Sequence, residues 1–264
     1  MSNGHATHPY HLVDPSPWPA VGAASAFVLA YGAVTFFHDR NDPWILLAGL
    51  AGVLVTMGMW WRDVVREAQL ARAHTPVVQH GLRIGMGLFI TSEVMFFVAF
   101  FWAFFNGATG VDPATPHWPP PGIQPLETWH IPFINTLILV SSGLFVNWAH
   151  HALRQGRRDK VVTGLAVAVV LGLCFLGLQA YEYGEAAFGF KEGIYPTVFY
   201  MATGFHGFHV FVGVCFLTVC MLRARRGDFT PRQHVGFEAA AWYWHFVDVV
   251  WIFLFVWVYW WGNS

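Results

Sequence analysis

Glu93 occupies the setting most in need of a chemical explanation. It stands in Thr91-Ser92-Glu93-Val94-Met95-Phe96-Phe97, and at about 1.5 Å rise per residue it lies roughly 15 Å beyond Arg83 along a helix, inside an apolar stretch. An ionisable group at bilayer depth costs several kcal/mol unless it is paired or neutral. No residue of its own stretch can neutralise it, so desolvation favours the protonated acid, which can donate a hydrogen bond to a neighbouring helix. Two chemistries are open to such a group: proton exchange in a relay, or a neutral tie between two helices. A relay needs several groups in series, and one is visible.

Histidines supply the other candidates. His206 and His209 are three residues apart, as are His245 and Asp248, so each pair shares one helix face. His150 and His151 close another apolar stretch. Paired imidazoles on facing helices can hold haem or copper. His206 and His209 cannot ligate one haem from opposite sides, and a second pair at mid-depth is missing. The expected use of these imidazoles is interhelical hydrogen bonding, with Asp248 balancing His245. No metal ligand set and no catalytic residue is read from the chain. Glu182 and Glu185 are expected at a solvated helix end, Glu238 at a helix start, and Cys174, Cys215 and Cys220 as small buried hydrophobes without a disulfide framework.

The elements that must position these groups follow from composition. In 264 residues, 56% are hydrophobic, 18% aromatic and 11% charged; soluble domains carry about 25% charged residues, which excludes an ordinary water-soluble globule. Net charge is -1 and no basic run is interleaved with aromatics, so nucleic acid is excluded as a partner. The first 17 residues are polar and histidine-rich, without the apolar core of a targeting peptide. A hydrocarbon layer about 30 Å thick needs about 20 apolar residues. Seven stretches qualify: Trp18 to Phe37, Pro43 to Trp61, Gly81 to Phe105, Trp129 to His151, Val161 to Tyr183, Ile194 to Leu222 and Phe237 to Trp261. The expectation is an all-α membrane protein with seven transmembrane helices.

Basic residues crowd alternate connections. Arg62, Arg66, Arg72 and Arg83 flank one, Arg154, Arg157, Arg158 and Lys160 the next, and Arg223, Arg225, Arg226 and Arg232 the third, leaving Arg40 and Lys191 opposite. Cytoplasmic loops retain Lys and Arg, which predicts a cytoplasmic N-terminus and a periplasmic C-terminus. The one long connection, 106–128, has six prolines and reads as a stiff extracytoplasmic cap. The chain therefore divides into 1–61 (the N-terminal segment and two spans), a cytoplasmic connection 62–80, and a five-span bundle 81–264. Trp60 and Trp61 beside Arg62 and Arg66, with Glu67, His74, Arg223 and Arg226, suit anionic lipid phosphates; simple positive-inside topology explains the same charges. A stand-alone proton-coupled transporter using Glu93 and His206 is the competing class, without the internal repeat that many transporters show.

Several motifs closely resemble subunit III of the haem-copper cytochrome c oxidases: Asp14-Pro15-Ser16-Pro17-Trp18-Pro19, Trp60-Trp61-Arg62-Asp63-Val64-Val65-Arg66-Glu67, His74-Thr75-Pro76, Ser92-Glu93-Val94-Met95-Phe96-Phe97, Trp148-Ala149-His150-His151, Ala202-Thr203-Gly204-Phe205-His206-Gly207, and the run from Gly236 to Trp251. The resemblance spans nearly the whole chain. It implies two-helix and five-helix bundles separated by a V-shaped cleft that holds phospholipids. It implies lipid contacts at Trp61, Arg66, Glu67, His74, Arg223 and Arg226, and a buried carbodiimide-reactive type of carboxyl at Glu93. Ala73 departs from the histidine that many relatives carry before His74.

The resemblance further implies a non-redox subunit, packed mainly on subunit I and also associated with subunit II. Haem a, haem a3 and copper then belong to those partners. Its implied role is to support proton uptake and sustained turnover of the proton-pumping reduction of oxygen by cytochrome c. Twelve Arg against two Lys suggest a GC-rich genome, and so a bacterial plasma membrane rather than a mitochondrial inner membrane.

Overall fold

The computed structural model describes Tyr10 and residues 14–39, 42–69, 74–110 and 118–263. Arg40, Arg72, Ala73, Pro113 and Pro116 lie outside the described residues. Seven helices are long and apolar enough to cross a membrane: α1 (Trp18–Asp39), α2 (Trp44–Gln69), α3 (Pro76–Ala108), α4 (Ile131–Arg154), α5 (Arg158–Glu185), α6 (Ile194–Arg226) and α7 (Val235–Leu254). Beyond Leu254 the last helix widens into a π-helical segment, Phe255–Trp260, and closes with a 3₁₀ turn, Trp261–Asn263.

Most helices outrun the apolar stretches that mark them, for local reasons. α3 begins five residues before Gly81 because Pro76, whose fixed φ suits the first turn, follows Thr75, whose Oγ1 accepts the backbone N–H of Val78 at 3.4 Å. α2 carries on through Arg62, Asp63, Arg66 and Glu67, so part of the expected 62–80 connection is helical. Asp63 accepts a 2.7 Å hydrogen bond from the Trp18 indole, fastening α2 to the start of α1. α6 ends at Gly227, whose φ of +84° is the left-handed stop that glycine adopts without strain.

Two compact units divide the chain, Met1–Leu82 and Arg83–Ser264. In the first, α1 and α2 pack as a pair. A Cβ on Gly49 would collide with the backbone of Leu29, so these two helices meet at van der Waals closeness only because glycine is there.

In the second unit α4 packs on α5, α5 on α6, α6 on α7, and α7 returns to α4. Aromatic contacts hold α3 against this ring: Phe96 to Phe205 at 5.0 Å, Phe97 to Phe246 at 6.1 Å and Phe101 to Phe253 at 4.4 Å between centroids. The centre is filled by Trp244 and Trp251, both wholly buried. Their indole N–H groups donate to Ser142 Oγ and Thr136 Oγ1, each at 2.9 Å. Large apolar side chains such as Leu88, Trp102, Leu144, Phe208 and Val249 face outward, as a hydrocarbon surround requires.

Two expectations are corrected by helical register. Glu182 is not solvated: it is 1% exposed, because α5 continues to Glu185 and presents Leu165, Ala168, Gly172, Phe175, Gln179 and Glu182 along one inward stripe. Glu185, off that stripe, is exposed. Of the cysteines only Cys220 is buried; Cys174 and Cys215 lie on outward, apolar faces.

Candidate functional site

Several polar side chains inside the second unit are joined across helices. Glu93 of α3 meets His209 of α6, with Oε2 2.8 Å from Nε2. His209 donates its Nδ1–H to the carbonyl of Phe205, one turn back, at 2.6 Å. In a neutral ring that leaves Nε2 as an acceptor, so the bond to Glu93 needs the proton of a carboxylic acid. The pair thus shares one proton, held on the acid when the ring is neutral and on the ring when the acid is ionised. Aromatic rings enclose it: Phe97 stands 5.1 Å from the imidazole, and Phe96 and Tyr243 6.1 and 6.3 Å away.

His206, on the same face of α6 and wholly buried, donates Nε2–H to the carbonyl of Val247 on α7 at 3.1 Å. Its ring lies 5.0 Å from Trp251 and 5.6 Å from Phe175. His245 bridges α7 to α4, with Nδ1 3.2 Å from Asp248 Oδ2 and Nε2 2.9 Å from Asn147 Oδ1. These residues do not fit a haem. A porphyrin needs a free imidazole nitrogen with open space in front of it: both ring nitrogens of His209 and of His245 are already bonded, and His206, whose Nδ1 has no hydrogen-bond partner among the described residues, is wholly buried beside Trp251 and Phe175.

One end of the second unit gathers the basic side chains. Arg83 at the start of α3 grips Glu238 in the first turn of α7, through Nε to Oε2 at 2.7 Å and a second nitrogen to Oε1 at 3.2 Å. Arg158 donates Nε–H to the carbonyl of Ala224 at 2.7 Å. Arg223 folds back on its own helix end, with Nε 3.6 Å from Asp228 and its guanidinium 4.5 Å over the Phe229 ring. Arg226 beside it is exposed.

Trp61, Arg66, Glu67 and His74 belong to the first unit. Trp61 is 63% exposed on the last turns of α2, Arg66 is exposed, and Glu67 and His74 are half-buried. Sequence reasoning passed over His234, which precedes α7 and stands beside both His150 and Glu238. Its spacing four residues before Glu238 is the signal that could have found it.

Residues 8–263 match the model of the family described as cytochrome c oxidase subunit III. The chain belongs to that family. Its relatives in the cytochrome c oxidase subunit III family match it from end to end: cytochrome c oxidase subunit 3 of Oryctolagus cuniculus is 52% identical over 260 residues, covering 98% of this chain and 99% of the relative. That of Cyprinus carpio is 51% identical over 260 residues with the same coverage. That of Branchiostoma lanceolatum is 52% identical over 262 residues, again 98% and 99%. Membership makes this member of the cytochrome c oxidase subunit III family one component of a larger oxidase complex and a multi-pass membrane protein.

Proposed function

We propose that this chain is the non-redox subunit III of a cytochrome c oxidase, packed mainly on subunit I and supporting proton uptake and sustained turnover while electrons pass through haem a, haem a3 and copper in subunits I and II. The observation that carries this reading is the bonding of the Glu93–His209 and His245–Asp248 pairs across and along helices. Glu93, His209, His245 and Asp248 bond to one another, to Asn147 or to backbone, and His206 is hemmed by aromatics. They tie helices together, which supports a structural rather than a redox use of these groups. The split of the chain near α3 supports a two-helix plus five-helix arrangement.

The chain also holds phospholipid headgroups, through Trp61, Arg66, Glu67 and His74 in the first unit and Arg223 and Arg226 in the second. The exposed guanidinium groups of Arg66, on the same helix as the exposed Trp61 indole, and of Arg226 support this, since anionic phosphates favour interfacial cations and indoles. The end rich in arginine faces the cytoplasm, and the Arg-over-Lys composition favours a bacterial plasma membrane.

Purification of the chain in mild detergent tests the reading. Co-purification with haem-bearing partners, whose visible spectrum is unchanged when this chain is later stripped away, is the expected result. A chromophore that stays with this chain alone would overturn it.

A further inference from the structure

Three donor groups converge at the basic end of the second unit. His150 Nε2 comes from the last turn of α4, His234 Nε2 from the residue before α7, and a Glu238 carboxylate oxygen from its first turn; these atoms all lie within 4.8 Å of one another. The two Nε2 atoms are 3.4 Å apart, and His234 Nε2 is 3.2 Å from Glu238 Oε1. A tetrahedral ion with bonds of about 2.0–2.1 Å keeps its ligand atoms about 3.3 Å apart. Two of the three edges already have that length.

Hydrogen bonding behind these atoms orients them. His234 donates Nδ1–H to the carbonyl of Thr230 at 3.0 Å, which leaves the lone pair of a neutral ring on Nε2, aimed at His150 and Glu238. A backbone carbonyl behind the far nitrogen is the partner that metal-bound imidazoles commonly have. With a neutral His234 ring, lone pairs on Nε2 and Oε1 face each other at 3.2 Å and repel, and a cation between them, proton or metal, removes the repulsion. Arg83 grips both carboxylate oxygens, Oε2 at 2.7 Å and Oε1 more loosely at 3.2 Å, and so fixes the carboxylate plane while a second lone pair of Oε1 faces the imidazoles; the His150 ring rests 5.5 Å from Phe237. His234 is 9% exposed and His150 is half-buried, so the pocket is shielded but reachable from the surface.

We propose that His150, His234 and Glu238 bind a divalent ion of the zinc type, with water completing the coordination. Two imidazoles and one carboxylate suit zinc better than magnesium or calcium, which prefer oxygen ligands throughout. The ion would pin the end of α4 to the start of α7. The guanidinium of Arg83 lowers the affinity, so the site takes up and releases zinc rather than trapping it permanently.

The test uses the intact detergent-solubilised oxidase, stripped with chelator and dialysed against radioactive zinc. Wild-type complex is compared with His150→Gln and His234→Gln complexes of matched haem content. The expected result is one bound zinc fewer per complex in each variant. Equal zinc stoichiometry and equal affinity in all three would overturn the proposal, as it would if a proton rather than a metal sat between His234 and Glu238. Should the variants fail to assemble, the wild-type complex suffices: zinc should protect His150 from diethyl pyrocarbonate, read by mass spectrometry of its peptide. Unchanged labelling of His150 in saturating zinc would also sink the idea.

Discussion

Replacing Gly172 by alanine should destabilise the second unit, although alanine is the better helix former. A Cβ at this position would stand 2.7 Å from both Trp244 Cη2 and Val214 Cγ2, against about 3.5–4.0 Å for a relaxed carbon contact. The indole cannot retreat, because it is wholly buried and held by the 2.9 Å bond from Nε1 to Ser142. On its other side Gly213 leaves equally little room, with a Cβ there 2.7 Å from Trp244 Cε3. Overpacking of this kind costs about 1–3 kcal/mol, while Gly to Ala gains up to about 1 kcal/mol of helix propensity.

The net loss of up to about 2 kcal/mol is as much as a 30-fold fall in the folding constant. Gly177, on the same helix, provides the control: a Cβ there meets nothing within 4 Å, so Gly177→Ala should be neutral or stabilising. Steric trapping in bicelles would measure both. Combining Gly172→Ala with Trp244→Phe should recover part of the loss, because the two sites touch and their effects couple. Equal stability of the Gly172→Ala and Gly177→Ala proteins, or strict additivity in the double variant, would refute the reasoning.

Glu93→Gln should preserve assembly and proton pumping almost fully, since a glutamine amide can donate to His209 Nε2 as the acid does; Glu93→Leu should lose about 0.6–1.7 kcal/mol of stability with that bond. A collapse of pumping in a fully assembled Glu93→Gln complex would instead assign Glu93 to a proton relay. Arg66→Ala combined with Arg223→Ala should lower the phospholipid retained through purification and shorten the active lifetime, as lipid phosphorus assays and turnover progress curves would record. Unchanged phosphorus would remove the lipid-binding role of those two residues.

How far the sequence discloses this structure depends on how local the cause is. Seven long apolar stretches announce seven helices, because hydrocarbon leaves the backbone no other partner. Helix starts are less visible: hydropathy alone points to Gly81, whereas the start signal is Thr75-Pro76. Glu182 shows the limit of reading helix ends as solvated: counting by helical period from Phe175 and Gln179 puts it inside. The depth of Glu93 demands a partner, yet His209 lies 116 positions away and only the packing of α3 on α6 reveals the pair. His234 is inconspicuous in the sequence because one companion, His150, comes from another helix, and only Glu238, one turn on, is near it in the chain.

The last residues of the chain carry a consequence for anyone attaching a reporter to it. Asn263 donates its amide to the carbonyl of Leu126 at 2.7 Å and accepts from the Tyr195 hydroxyl at 3.0 Å, and Thr128 bonds the carbonyl of Tyr259. Those contacts clasp the C-terminal tail to the foot of the proline-rich connection. A fluorescent or enzymatic domain fused after Asn263 would therefore emerge on the same side of the membrane as that connection, and its activity would report the sidedness of both with one gene fusion.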